Sequence, residues 1–241
     1  MVSSPRVCIT DLDGTLLGSD HCISSANRDK LVELGKMGII RVLATGRSLW
    51  SLKRVIKDDD PFDFVIFSTG AGLMDWQKKE LLFACNLQTK QISHISQVLE
   101  QCQMDYMLHR AIPDTHYMHY REIKGLDCFR ERIRGYVDFA SPLEISNIGS
   151  FETATQFVAI TEAQGSTRYP KLKNDLYPLS VIKTTSPIDY SNVWFEIFAP
   201  EVSKGKTISR LLSRLSYSFS EAMVLGNDFN DTPCFPLVGC A

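Results

Sequence analysis

The stretch that decides the fold is Arg6-Val7-Cys8-Ile9-Thr10-Asp11-Leu12-Asp13-Gly14-Thr15. Its first half is a short apolar and β-branched run, suited to a strand buried on both faces. The run ends in two carboxylates spaced two apart, and in an extended chain such residues point the same way. Gly14 then relieves crowding where the backbone turns aside. Asp and Gly also gather where strands simply end, so this segment alone fits both a chemical site and an ordinary turn.

Working outward, the next 60 residues or so alternate strand and helix patterns. Ser24 is placed to cap a helix through Leu31, Leu34 and Met37, with Gly38 as its stop. A strand over Ile39–Ala44, a helix over Ser48–Ile56 and a strand over Phe64–Phe67 follow. This order predicts an α/β fold built on a doubly wound parallel sheet, with any ligand at the carboxyl ends of the strands.

The middle of the chain reads differently. Ile92, Ile95, Leu99 and Cys102 mark an amphipathic helix, followed by strand patterns at Met104–His109 and His116–Arg121. A helix around Leu126–Val137, a strand Gln156–Thr161, a helix near Tyr169–Leu176 and strands Ser180–Thr185 and Asn192–Phe198 come next. After Pro200, a helix over Ser203–Leu215 and an apolar strand Met223–Leu225 restore the first pattern. The division expected is a core from residues 1–84 and 200–241, with 85–199 inserted as an α+β cap.

Composition narrows the function classes. A hydrophobic fraction of 44% and a charged fraction of 22% are those of an ordinary globular chain. The net charge of −2 provides no broad basic field for nucleic acid or anionic lipid. No apolar run approaches the ~20 residues that span a bilayer, and no secretory leader is expected from MVSSPRVCITDLDG. The seven cysteines are scattered without a Cys-x-x-Cys pair, which argues against a zinc site or disulfide framework. Free thiols in a reducing cytoplasm, in a monomer or small homo-oligomer, are the expectation.

Three further segments bear on the first. Ala44-Thr45-Gly46-Arg47-Ser48 sits at the end of the second strand, where the Thr45 hydroxyl and following N–H groups could cradle an oxyanion. Lys204, opening a helix, offers a compact positive charge, although a lysine is more often a solvated surface group. Gly226-Asn227-Asp228-Phe229-Asn230-Asp231 closes the last strand with hard oxygen ligands suited to Mg²⁺. Turn chemistry alone does not explain four such features in this order.

The segments ITDLDGTLL, LATGRS, the lysine of VSKGKT and LGNDFND resemble the four motifs of the haloacid-dehalogenase phosphatases. The insertion resembles the type-C2 cap of Cof-type sugar phosphatases and sucrose-phosphate phosphatases. This resemblance implies Mg²⁺-dependent hydrolysis of a small phosphorylated metabolite, a sugar or polyol phosphate, through a phosphorylated Asp11. Asp13 would be the general acid and base, Thr45 and Gly46 would hold the phosphoryl oxygens, and Lys204 would neutralise charge. Arg47 would join the substrate ligands. The metal would rest on Asp11, the Asp13 carbonyl, Asp228, Asn227 and Asp231, with Asn227 standing where relatives usually carry Asp. Relatives also continue through a further strand and helix, whereas ten residues follow Asp231 here; the expectation is a missing tail or a short core. A sugar phosphomutase and a non-catalytic phosphometabolite sensor are the alternatives within the same fold.

In the insertion, Tyr106–Arg121 is rich in His, Tyr and Arg. Arg110, His119 and Arg121 are candidate substrate ligands, against the plainer reading of an exposed amphipathic strand face. His116 and His119 would diverge on a strand, which disfavours a paired-histidine metal site. Trp194 and Phe198 share a strand face and read as core. Ser68-Thr69-Gly70-Ala71-Gly72 is either a backbone contact to substrate or a hinge into the insertion.

Overall fold

The computed structural model describes residues 5–18, 20–186, 188–189, 192–227 and 231. The chain forms two compact units, Met1–Ala84 with Val202–Ala241 and the intervening Cys85–Glu201. In chain order the first carries β1 (Val7–Thr10), α1 (Ser25–Lys36), β2 (Ile40–Ala44), α2 (Leu49–Leu52), β3 (Phe64–Phe67), β4 (Gly72–Asp75) and β5 (Glu80–Ala84). The second carries β6 (Leu87–Gln88), α3 (Thr89–Gln101), β7 (Asp105–His109), β8 (Met118–Arg121), α4 (Asp127–Arg134), β9 (Ala140–Pro142), β10 (Thr153–Ala154), β11 (Gln156–Thr161), α5 (Tyr169–Asp175), β12 (Ser180–Thr185) and β13 (Val193–Phe198). The chain then returns to the first unit with α6 (Lys204–Leu215) and β14 (Ala222–Leu225).

The first unit is an α/β sheet in the order β14-β1-β2-β3-β4-β5. Its first four strands are parallel, and all of β1 is buried between β14 and β2. That explains why β1 reads as an unbroken apolar run. On α6, Ile208, Leu211, Leu212 and Leu215 recur at helical spacing and pack on Val7, Ile9, Val42 and Val224. Each fully buried side chain of this kind contributes about 1.5–3 kcal/mol. On the opposite face, Arg41 of β2 donates to the Leu31 carbonyl of α1 and forks onto Asp63. Helices on both faces make the sheet doubly wound.

Two features depart from the sequence reading. The helix expected over Ser48–Ile56 is only the four residues of α2, because the bonds tighten beyond it: Arg54 N–H reaches Ser51 O at 3.3 Å and Val55 N–H reaches Leu52 O at 2.9 Å. An antiparallel hairpin, β4–β5, extends the sheet at one edge. The connection after β3 is too short for the crossover that a parallel strand requires.

The second unit is a six-stranded sheet in the order β12-β13-β11-β7-β8-β9, antiparallel except for the β8–β9 pair. Cys128 and Phe129 of α4 close one face over Met107, Met118, Val158, Ile160 and Trp194. On the other, Ser96 of α3 shares a 2.9 Å hydrogen bond with Tyr106, and Tyr169 of α5 stacks on Phe195. Trp194 and Phe198 are both buried. Asp105 is wholly buried and accepts from four successive backbone N–H groups, those of Ile123, Lys124, Gly125 and Leu126. It thereby fixes the loop that enters α4.

Candidate active site

The carboxyl ends of β14, β1, β2 and β3 lie along one edge of the first unit. The chain runs from β1 towards β2 on one side, while β14 pairs on the other. The sheet order therefore reverses at β1, the position where open α/β sheets bind ligands. Asp11 emerges there, its N–H donating to Leu225 O at 2.8 Å.

Asp11 is buried, and Lys204 Nζ donates to its Oδ1 at 2.6 Å across 193 residues of sequence. The same Nζ donates to Asp231 Oδ1 at 2.7 Å, while Asp231 Oδ2 accepts from Asn227 N–H at 3.1 Å. Ser203 caps α6 by accepting from Lys206 N–H, which sets Lys204 in the first turn with its side chain turned inward. Burial disfavours the Lys204 ammonium, but Asp11 and Asp231 outweigh it and hold the pKa above the ordinary lysine value. Burial pushes the Asp11 pKa up, Lys204 opposes that shift, and the like charge of Asp231 adds to it. The sequence reading left Lys204 open to being a surface charge; here it is 1% exposed.

Asp13 occupies a different environment. Its side chain is 49% exposed, and Arg47 grips both oxygens: Nε to Oδ2 at 2.8 Å and Nη2 to Oδ1 at 2.7 Å. Gly14 follows at φ +75°, and a Cβ there would sit 2.3 Å from Nδ2 of Asn227, so the amide of Asn227 lies against this turn.

Thr45 follows directly on β2 and is almost wholly buried, and its Oγ1 accepts from Arg47 N–H at 3.1 Å. Gly46 beside it is exposed. Behind it, Thr69 N–H donates to Thr45 O at 3.1 Å and Ser68 N–H to Arg47 O at 2.8 Å. Ser68, Thr69 and Gly70 all have positive φ, and Thr207 Oγ1 of α6 donates to Gly70 O at 2.7 Å. This segment thus bolts the end of β3 to α6. Asp11, Asp13, Thr45, Gly46, Arg47, Lys204, Asn227 and Asp231 all belong to the first unit; Asp228 lies outside the described residues.

The family model of the haloacid dehalogenase-like hydrolases matches residues 8–241. The chain belongs to this family. Among relatives of this haloacid dehalogenase-like hydrolase is YxeH of Bacillus subtilis, provisionally named a phosphatase, 25% identical over 98% of this chain and 85% of its own length. A phosphatase of the same superfamily from Bacteroides thetaiotaomicron superposes with a TM-score of 0.78, at 20% identity, covering 98% of this chain and 82% of that one. A subclass IIB sugar phosphatase superposes at 0.73, with 15% identity and coverage of 97% and 85%. Both structures share the fold of this hydrolase. Among the described residues, no helix is long and apolar enough to cross a membrane.

The second unit of the hydrolase holds an open cavity of about 260 Å³, with Arg110, His119, Phe151 and Glu152 in its lining. His119 Nδ1 shares a 2.9 Å hydrogen bond with Ser141 Oγ, and burial and then Arg110 hold the ring's pKa below its ordinary value. Arg121, the third candidate named from sequence, is not in that lining; its Nε donates to Glu100 at 3.1 Å. His109 and Asp105 escaped the sequence reading, since an isolated buried polar residue in a strand carries no local pattern.

Proposed function

We propose that this hydrolase cleaves a small phosphate monoester, a sugar or polyol phosphate, with Asp11 as nucleophile. The observation that carries the reading is the contrast between two carboxylates on one strand end. Asp11 is buried against an ammonium, whereas Asp13 is half-exposed under a guanidinium. Two carboxylates in unlike environments take unlike roles. An oxygen of Asp11 forms the bond to phosphorus as the ester oxygen departs, taking its proton from Asp13. Water then attacks the aspartyl-phosphate, giving its proton to Asp13 and releasing phosphate and the Asp11 carboxylate. Lys204 offsets the charge that accumulates when a carboxylate meets a phosphate, and Thr45 with the Gly46 N–H holds the phosphoryl oxygens.

The donors present fit Mg²⁺. Asp11 Oδ1 is engaged by Lys204, and the like charge of Asp231 lies beside it, so a divalent cation here would offset two neighbouring carboxylates. Among the described residues, no trio of His, Cys, Asp or Glu side chains forms a metal cluster by itself. The set we propose therefore adds the Asp13 carbonyl and the Asn227 amide oxygen to Asp11 and Asp231, with Asp228 carried over from the sequence reading. Bound there, the cation would supply charge neutralisation for the phosphoryl oxygens.

The second unit, as the cap, would select the ester's alcohol through Arg110 and His119. The sugar phosphatase among the structural neighbours supports that substrate class. The test is phosphate release from a panel of sugar, polyol and nucleotide phosphates with Mg²⁺ or EDTA, for wild type and Asp11→Asn. Release that needs the metal and vanishes in the variant is the expected result. Release that survives Asp11→Asn would refute the mechanism, and an isomerised sugar phosphate in place of free phosphate would replace hydrolysis by mutase chemistry.

A further inference from the structure

We propose that Arg47 acts on the reaction through Asp13, as the residue that positions its carboxylate, rather than as a ligand of the phosphoryl group. The inference rests on reading Asp13 as the acid and base. Asp13 lies at the tip of a turn with half of its side chain in solvent, where an unrestrained carboxylate would sample several rotamers. The Arg47 fork fixes both its position and its plane through two parallel charge-assisted bonds. A carboxylate has about four lone-pair sites, so the two left outside the fork can carry or accept the travelling proton.

Arg47 is itself held at every level. Its third guanidinium nitrogen, Nη1, donates to Ser51 Oγ of α2 at 3.3 Å. Its N–H rests on Thr45 Oγ1 and its carbonyl accepts from Ser68 N–H. The clamp thus ties the loops after β1, β2 and β3 to one another. Turning the fork towards a phosphoryl group would break both bonds to Asp13 and leave the acid unrestrained. A lysine could not substitute, because its point charge has no fork.

The experiment compares kcat/KM for an alkyl phosphate and p-nitrophenyl phosphate in wild type, Arg47→Ala and Arg47→Lys, after thermal unfolding shows that each variant is folded. A poor alkoxide leaving group needs the acid, whereas nitrophenolate does not. Arg47→Ala should lose about 10²-fold on the alkyl ester, the scale of a catalytic group misplaced by 1 Å. On the aryl ester the loss should stay within about 5-fold. Arg47→Lys should restore little of the alkyl activity. In an Asp13→Asn background, Arg47→Ala should add no further loss. Equal losses on both esters, or a loss that persists without the Asp13 carboxylate, would assign Arg47 to the phosphoryl group and overturn the inference. Wild type that releases phosphate from neither ester would overturn the phosphatase reading itself, a result distinct from either pattern.

Discussion

Lys204 and Asp11 meet at 2.6 Å in the interior of the first unit, and the same ammonium lies 2.7 Å from Asp231. One cation therefore organises two buried carboxylates, and its removal takes the neutralising charge from both. Lys204→Met should lower stability by about 3–5 kcal/mol, the range for breaking a buried pair. Asp11→Asn leaves the Lys204–Asp231 pair intact, so its stability loss should be much smaller although turnover vanishes. Urea unfolding of the two variants checks this. An Asp11→Asn protein as unstable as Lys204→Met would sink the idea that Asp231 alone can satisfy the lysine.

A second expectation concerns a residue that touches no substrate. Gly70 has φ +99°, and a Cβ there would lie 2.5 Å from the Ser203 carbonyl oxygen, which belongs to the cap of α6. Backbone cannot swing aside as a side chain can. Gly70→Ala should therefore cost about 3 kcal/mol from strain and displacement. It should also reduce kcat/KM about 10-fold or more, by shifting the turn that carries Lys204. Unchanged activity at reduced stability would show that α6 tolerates the shift.

In the second unit, Asp105 is the single acceptor for four backbone N–H groups. Asp105→Ala buries donors without partners, each costing about 1–3 kcal/mol. Partial relaxation of the loop should leave a net loss of about 3–5 kcal/mol. Asp105→Asn, which keeps one acceptor oxygen, should fall between. Hydrogen exchange over residues 122–134 reads the effect directly; protection equal to wild type in the alanine variant would refute it.

His109 makes the second unit sensitive to acid. Its Nδ1 donates to Thr115 O at 2.8 Å, Nε2 is buried without a partner among the described residues, and burial depresses the ring's pKa to about 4. An unfolded histidine titrates near 6.5, so the unfolded chain takes up a proton that the folded one refuses. The stabilisation is complete above about pH 6.5 and is lost as the pH falls towards 4. Between pH 7 and 4.5 this amounts to about 2–3 kcal/mol. His109→Asn keeps a donor for Thr115 without titrating, and should lose correspondingly less stability in urea over that interval. Identical pH dependence in both proteins would assign the acid sensitivity elsewhere.

Much of the first unit is legible from its residues because local chemistry and topology coincide there. A buried parallel strand must be apolar throughout, and its polar residues start where it ends; Thr10 to Asp11 and Ala44 to Thr45 mark those ends without knowledge of the fold. The partners are another matter. Nothing local in Arg47 indicates that it reaches back 34 residues to Asp13, or that Arg121 is taken up by Glu100. The antiparallel return into β4 is equally hidden, since it depends on three consecutive positive φ values at Ser68, Thr69 and Gly70, two of them at residues that rarely adopt such a conformation. Side-chain pairing across tens of residues is decided by packing, and packing leaves no periodic trace.

The long separation between Asp11 and Lys204 has a consequence for how the protein is made. One of the two neighbours of β1, β14, lies far along the chain and leaves the ribosome long after it. Until then β1 offers an open hydrogen-bonding edge, the kind of surface on which nascent chains aggregate. The second unit, a contiguous stretch, has no such wait. The expected order of birth is a finished insertion held within an unfinished first unit, whose site closes only once α6 and β14 have followed.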